Sequence, residues 1–248
     1  MKRLLERLRQ GYRTIPFPDE SLRLPSRFRG RFALDPSKCR AGCHRCADVC
    51  PTGAIKTEPL RLDLGACLFC PECVSACQEG AIRSTPEYRL ATCTRPDLVL
   101  DGHELRLATE LGEKLKRLLG RSLKLRQVSA GGCNGCESDL NVTGIVVFDI
   151  GRFGIQFVAS PRHADGIVIT GPVPANIQLA PRETWAAVPE PKIAIALGAC
   201  AISGGPYAGS EACLGIPADI PISLYVPGCP PHPLTILDGL LRLLGRNQ

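Results

Sequence analysis

Fourteen cysteines in 248 residues, and above all their spacing, carry the chemistry open to this chain. Eight of them fall in two runs, Cys39-x3-Cys43-x2-Cys46-x3-Cys50-Pro51 and Cys67-x2-Cys70-x2-Cys73-x3-Cys77. A shift of 27 residues superposes Cys43, Cys46 and Cys50 on Cys70, Cys73 and Cys77, and Gly53-Ala54-Ile55 on Gly80-Ala81-Ile82, so the segment is an internal duplication. Only Cys39 is out of step, by one extra residue between it and Cys43. Three thiolates a turn apart wrap three irons of a cubane, and the fourth iron must be reached from elsewhere. In duplicated runs of this kind the last cysteine of each run crosses to the other cluster. The expected ligand sets are therefore Cys39, Cys43, Cys46 and Cys77 for one 4Fe–4S cluster, and Cys67, Cys70, Cys73 and Cys50 for a second. Gly53 and Gly80 supply the turns, and Ile55 and Ile82 the apolar cover. His44 reads as a loop residue, or as a hydrogen-bonding tuner of potential, not as a ligand. The competing chemistry is a pair of structural zinc sites built from the same thiols.

Four more cysteines lie in glycine-rich segments of the second half. Cys133 and Cys136 belong to Gly131-Gly-Cys-Asn-Gly-Cys-Glu137, Cys200 to Gly198-Ala-Cys-Ala-Ile-Ser-Gly-Gly205, and Cys229 to Pro227-Gly-Cys-Pro-Pro231. The elements that must position them are short apolar strands at Ile155–Ala159, Gly166–Thr170, Lys192–Leu197 and Ile222–Val226, with a short strand around Gln127-Val128. Helices are expected at Glu137–Phe148, Asn176–Ala187 and Pro233–Leu244. This alternation predicts an α/β domain with a covered parallel sheet, whose site lies in loops at the carboxyl ends of the strands. Three such loops bring four thiols together as a third four-thiolate site, again with zinc as the alternative metal. The glycines let backbone N–H groups approach the sulfurs and raise the potential of a bound cluster. Glu137 is either a proton relay or a carboxylate favoured by the helix N-terminus. Cys93 and Cys213 have no partner loop and read as structural.

Composition narrows the classes. The apolar fraction, 44%, and a net charge of +6 exclude general disorder. Aromatic residues make up 5%, so stacking platforms for nucleic acid are not expected. No G-x-G-x-x-G opens a βαβ unit and no P-loop is present. Neither a secretory signal nor an apolar run of about 18 residues is visible. The expectation is a cytoplasmic protein, in which clustered cysteines are metal ligands and not disulfides. Residues 1–31 hold nine Lys/Arg against three Asp/Glu, which accounts for the whole excess charge. There Leu4, Leu5, Leu8 and Tyr12 recur at helical spacing beside Lys2, Arg3, Arg7 and Arg9. This predicts a basic amphipathic helix for an anionic membrane surface, or a solvated arm or docking tail. Between the cysteine-rich halves, leucines from Leu105 to Leu123 predict an amphipathic helix over Glu104 to Leu125. The expected division is an arm (1–31), a two-cluster domain (32–92), a linker with its helix (93–126) and an α/β domain (127–248).

The motifs also carry a resemblance. Gly-Gly-Cys133-Asn-Gly-Cys136-Glu137, Phe148-Asp149-Ile-Gly-Arg152-Phe153-Gly154, Ser160-Pro161-Arg162-His163-Ala164-Asp165 and the Cys200 and Cys229 segments are similar to the proximal-cluster subunit shared by energy-converting nickel–iron hydrogenases and respiratory complex I. Phe17-Pro18, Phe28-Arg29-Gly30-Arg31 and the doubled cysteine runs resemble the eight-iron ferredoxin subunit of the same complexes, here in one chain. The resemblance implies a ferredoxin domain followed by a flavodoxin-like domain, and three 4Fe–4S clusters. It implies an electron-transfer subunit whose proximal cluster, on Cys133, Cys136, Cys200 and Cys229, faces a catalytic large subunit. The separated Cys133-x-x-Cys136 pair is the hydrogenase-like form, as in membrane-bound group 4 enzymes and formate hydrogenlyase, whereas complex I subunits have adjacent cysteines. Implied partners are the large subunit, membrane subunits and a redox donor or acceptor protein, with residues 1–13 touching the cytoplasmic face of the membrane. Arg162 and Asp165 are expected to pin a strand and a subunit contact, and Arg162 could raise the cluster potential by its charge.

Overall fold

The computed structural model describes residues 2–18, 22, 24, 25, 27–119 and 122–246. The parts of the expected arm at 1, 19–21, 23 and 26 lie outside the described residues. Helix α1 (Lys2–Gln10) forms where the basic amphipathic pattern predicts it, and none of its residues is buried. Beyond it the chain turns back onto the body. Ile15 N–H donates to Val147 O, and Arg152 donates to Ile15 O and Phe17 O, seating Phe17 in the core.

The duplicated segment folds as it repeats in sequence. Strand β1 (Phe32–Leu34), helix α2 (Arg45–Asp48) and strand β2 (Ile55–Thr57) are followed by β3 (Leu60–Asp63), α3 (Glu72–Ala76) and β4 (Ile82–Ser84). Pairing is crossed between the copies: β1 runs antiparallel to β4 and β2 antiparallel to β3, and β5 (Val99–Leu100) extends the second sheet. Phe32, Ile55, Leu60, Leu62, Leu64, Phe69, Ile82, Leu98 and Leu100 fill one core between these strands. Gly53 and Gly80 both turn the chain at positive φ, +61° and +65°, which a side chain disfavours. The extra residue after Cys39 is absorbed locally. Lys38 N–H donates to Asp35 O and Ala66 N–H to Asp63 O, so a shift of 28 holds from the strand through the first cysteine. A turn at Ala41-Gly42 then restores the shift of 27.

The second half is a five-stranded parallel sheet in the order β10-β9-β8-β6-β7. Its strands are β6 (Leu123–Ser129), β7 (Ile155–Phe157), β8 (Gly166–Thr170), β9 (Ile193–Leu197) and β10 (Leu224–Val226). Counted from β6, the order is the 2-1-3-4-5 of flavodoxin-like sheets, with its switch point between β6 and β8. Both faces are covered. Val168 packs with the core under α5 (Gly135–Val142) and α8 (Pro233–Leu243), while Ile167 and Ile169 pack with the core that holds Trp185 of α6 (Leu179–Ala187). Burial on both faces is why β8 and β9 are apolar at nearly every position.

The helix expected over Glu104 to Leu125 is corrected. Only α4 (Glu113–Leu119) is helical, residues 120 and 121 lie outside the described residues, and Leu123 opens β6. Leu123 and Leu125 are buried while Lys124 between them is exposed, so their spacing belongs to strand alternation. The strand expected around Gln127-Val128 is accordingly seven residues long. Helix α5 also ends earlier than expected, where Gly144 and the β-branched run Ile145-Val146-Val147 follow. The two halves meet at Thr92, which bridges antiparallel to Tyr225 of β10. Among the described residues, no helix is long and apolar enough to cross a membrane.

Candidate metal centres and the chain's relatives

The cysteines assemble in three sets of four. Cys39, Cys43, Cys46 and Cys77 line one cavity of about 460 Å³ between α2 and the end of α3. Burial pushes the Cys39 and Cys46 thiols up, and the charge of neighbouring Cys77 pushes both further. In the second set, burial raises Cys67 to about 12 and Cys73 to about 11, with Cys50 and Cys70 adding like charge to both. Cys77 thus stands with the first run and Cys50 with the second. Cys46 also acts on Cys73, so the two sets adjoin.

The third set forms where the carboxyl ends of the parallel strands converge. Cys133 follows β6, Cys136 sits in the first turn of α5, Cys200 follows β9 in α7 (Ala199–Ser203), and Cys229 follows β10. Burial lifts Cys136 to about 12, ahead of the charges of Glu137, Cys200, Cys229 and Cys133. Burial lifts Cys200 to about 11, ahead of Cys229 and Cys133. Cys133 is exposed, so this site opens to the surface. Among the described residues no three His, Cys, Asp or Glu side chains converge closely enough to hold a single metal ion.

The donor chemistry of all three sets suits an iron–sulfur group. Each set offers the four thiols that such a group takes as thiolates, and a bound cation deprotonates them. In the second set backbone N–H groups donate to sulfur: Ala54 N–H to Cys50 Sγ and Phe69 N–H to Cys67 Sγ, each at 3.3 Å. Glycines contribute close approach instead. A Cβ on Gly198 would collide with Cys136 Sγ, and one on Gly205 would stand 2.9 Å from Cys200 Sγ.

The remaining polar residues have identifiable work. Glu137 is buried and accepts from Ser129 Oγ (2.7 Å) and Thr170 Oγ1 (2.6 Å). Burial opposes its charge, but these bonds outweigh burial and hold its carboxyl below the usual range. The carboxylate therefore fastens the first turn of α5 to the ends of β6 and β8. Asp165 accepts from Lys124 N–H at 2.7 Å, which pins β6 to β8 at their amino ends. Arg162, in the turn Pro161–His163 just before β8, lies toward that end of the sheet and away from the thiols, so its expected charge effect on the site is not supported. His44 Nδ1 pairs with Thr57 Oγ1 at 2.7 Å. The Cys93 and Cys213 thiols donate to the backbone carbonyls of Thr109 and Pro172. The contact of the Arg29 guanidinium with Phe69 O was not readable in the sequence, because it spans 40 residues and leaves no local pattern.

A family model described as NADH ubiquinone oxidoreductase, 20 Kd subunit, matches residues 133–243. The chain is 38% identical over 133 residues to a probable membrane-bound hydrogenase subunit of Pyrococcus furiosus, which is 53% of this chain and 79% of that protein. It belongs to the 20 Kd subunit family. It is also 41% identical over 133 residues to formate hydrogenlyase subunit 7 of Escherichia coli, covering 53% of this chain and 52% of that protein, so it spans about half of this relative's length. A subunit of the NADH-quinone oxidoreductase of Heliobacterium modesticaldum is 44% identical over 115 residues, covering 46% of this chain and 66% of that protein. The 20 Kd subunit match begins at Cys133, ends in the last turn of α8, and contains the third thiol set whole. The two crossed sets lie outside it.

Proposed function

We propose that the chain is an iron–sulfur electron-transfer subunit of a membrane-associated nickel–iron hydrogenase complex of the formate hydrogenlyase kind, with a two-cluster ferredoxin domain joined to the proximal-cluster domain. The observation that carries this reading is the grouping of twelve cysteines into three sets of four, each made of buried or half-buried thiols apart from Cys133. When bound, 4Fe–4S clusters would supply one-electron carriers at these sets. The chain's own residues hold and separate the sets, keep water from most of the thiols, and leave the Cys133 loop open for a large subunit. Membership in the 20 Kd subunit family supports the oxidoreductase class. The separated Cys133-x-x-Cys136 pair favours a hydrogenase over a quinone-reducing partner.

The test is anaerobic purification of the intact complex with analysis of iron, acid-labile sulfide and nickel. About twelve irons on this chain, three cubanes of four, are expected together with nickel in a partner subunit. A colourless zinc protein without sulfide would defeat the electron-transfer reading. Iron without nickel, with reduction of a quinone, would move the chain to the complex I-like alternative.

Helix α1 supports attachment at a membrane. Leu4, Leu5 and Leu8 share one face and are 57–79% exposed, with Lys2, Arg3, Arg7 and Arg9 around the rest. Each basic residue near an anionic surface is worth about 1 kcal/mol. Deleting residues 2–13 is expected to weaken binding of the complex to phosphatidylserine vesicles by about tenfold or more at low salt, with iron content unchanged. Raising the salt should erase most of the difference. Equal sedimentation of both forms with the vesicles would refute the role.

A further inference from the structure

We propose that Arg29 is the positioning residue of the electron junction between the duplicated lobe and the α/β domain, joining the Cys67–Cys70 loop to the Cys229 loop and raising the potentials of the groups bound at both. This rests on the electron-transfer reading above and adds to it a route and a residue that sets it.

The junction is a cavity of about 280 Å³ between the lobes, lined by Phe28, Arg29 and Phe69 on one side and by Cys229 and His232 on the other. Arg29 Nη1 donates to Phe69 O at 3.3 Å. Phe69 lies within the Cys67-x-x-Cys70 loop, at φ 54°, and its own N–H donates to Cys67 Sγ at 3.3 Å. One residue therefore receives the guanidinium on its carbonyl and delivers a hydrogen bond to a ligand sulfur. The same guanidinium lines the cavity that Cys229 lines from the other lobe, so its positive charge faces that loop as well. A fixed cation stabilises the more negative, reduced state of an adjacent cluster, so its charge raises both potentials. Arginine suits the place because its guanidinium stays charged and offers several donors in a planar fork.

The segment around Arg29 is held at both ends. Phe28 packs edge-on against His232, with ring centroids 5.0 Å apart, and His232 caps α8 directly after the Cys229 loop by accepting from Leu234 N–H. Gly30 lies flush against the far side: a Cβ there would stand 2.5 Å from both Thr85 O and Glu87 O. Arg31 N–H then donates to Glu87 O, and Thr85 N–H to Arg31 O, extending the β1–β4 pairing. The Phe28-Arg29-Gly30-Arg31 motif is thus a clasp with one side on each lobe and the charge between them.

The test uses the complete complex carrying R29Q or R29K, with potentiometric titration followed by electron paramagnetic resonance. Iron per chain is read as a control that each variant is loaded. R29Q is expected to shift the reduction equilibria of the Cys67-set and Cys229-set clusters by up to about tenfold toward the oxidised form, which is about 59 mV for one electron. The Cys39-set cluster should keep its midpoint. R29K, which keeps the charge and loses the fork, should recover most of the shift; a merely structural role would leave both variants alike. Three loaded clusters with unshifted midpoints in R29Q would overturn the junction role while leaving the electron-transfer reading intact. So would an equal shift at all three clusters. Fewer than three cluster signals in the unaltered complex would overturn the reading beneath and the junction with it.

Discussion

Changing Cys229 to alanine should lower the iron bound by the chain from about twelve to about eight and abolish turnover of the complex, while two cluster signals persist. The reason is topological. Cys229 reaches the third site from the loop after β10, an edge strand of the parallel sheet, whereas Cys133 and Cys136 come from the end of β6 and Cys200 from that of β9. No other thiol stands in that loop, and a three-thiol remnant leaves one iron of a cubane without its protein ligand. The duplicated lobe has its own core, so its two sets should be untouched. Cys213 is the informative control. It lies near Cys200, yet its thiol donates to Pro172 O at 3.5 Å. Cys213→Ala and Cys93→Ala should both leave iron unchanged. Iron lost on changing Cys213 would show that the third set has been drawn with the wrong four residues.

How far the sequence reached depends on how local each signal is. Strand β8 was readable to the residue because a strand buried on both faces is a short unbroken apolar run, Gly166–Thr170, bounded by Asp165 and Gly171. Helix α8 was equally plain, with Pro233 at its start and ten of its eleven residues buried. Strand β6 was not. Leu115, Leu118 and Leu119 continue into Leu123 and Leu125 at a spacing that suits a helix, and only the parallel neighbours β7 and β8 turn the last two into strand. The two cysteine runs were legible because they repeat at a shift of 27, and the third group because each of its loops carries glycine beside a cysteine. What fastens them was not: Glu137 against Thr170, and Arg29 against Phe69, are contacts between segments far apart in sequence. The same holds for Ile15 and Phe17, which carry no periodicity and are tied down by Arg152.

The proposed crossing of ligands between the duplicated runs makes a second prediction of comparable size. Cys50→Ala should abolish the same cluster signal as Cys67→Ala, and Cys77→Ala the same signal as Cys39→Ala, each with a loss of about four irons. Sequence neighbours would suggest the opposite grouping, since Cys50 lies four residues from Cys46. Strand pairing favours the crossing. The chain leaving Cys50 enters β2, which pairs with β3, the strand that leads into Cys67; Ile55 stands opposite Leu62. Thr52 Oγ1 then donates to Ala66 O at 2.8 Å, fastening the stretch after Cys50 to the residue before Cys67. In the other copy the chain leaving Cys77 enters β4, which pairs with β1, the strand that leads into Cys39; Leu34 stands opposite Ile82. Each outgoing strand is thereby bound to the incoming strand of the other run, and the last thiol of each run travels with it. The comparison needs no assignment of spectra in advance, because only the identity of the lost signal within each pair matters. If Cys50→Ala removed the signal that Cys39→Ala removes, the ligands would not cross, and the antiparallel pairings would have to serve the core alone.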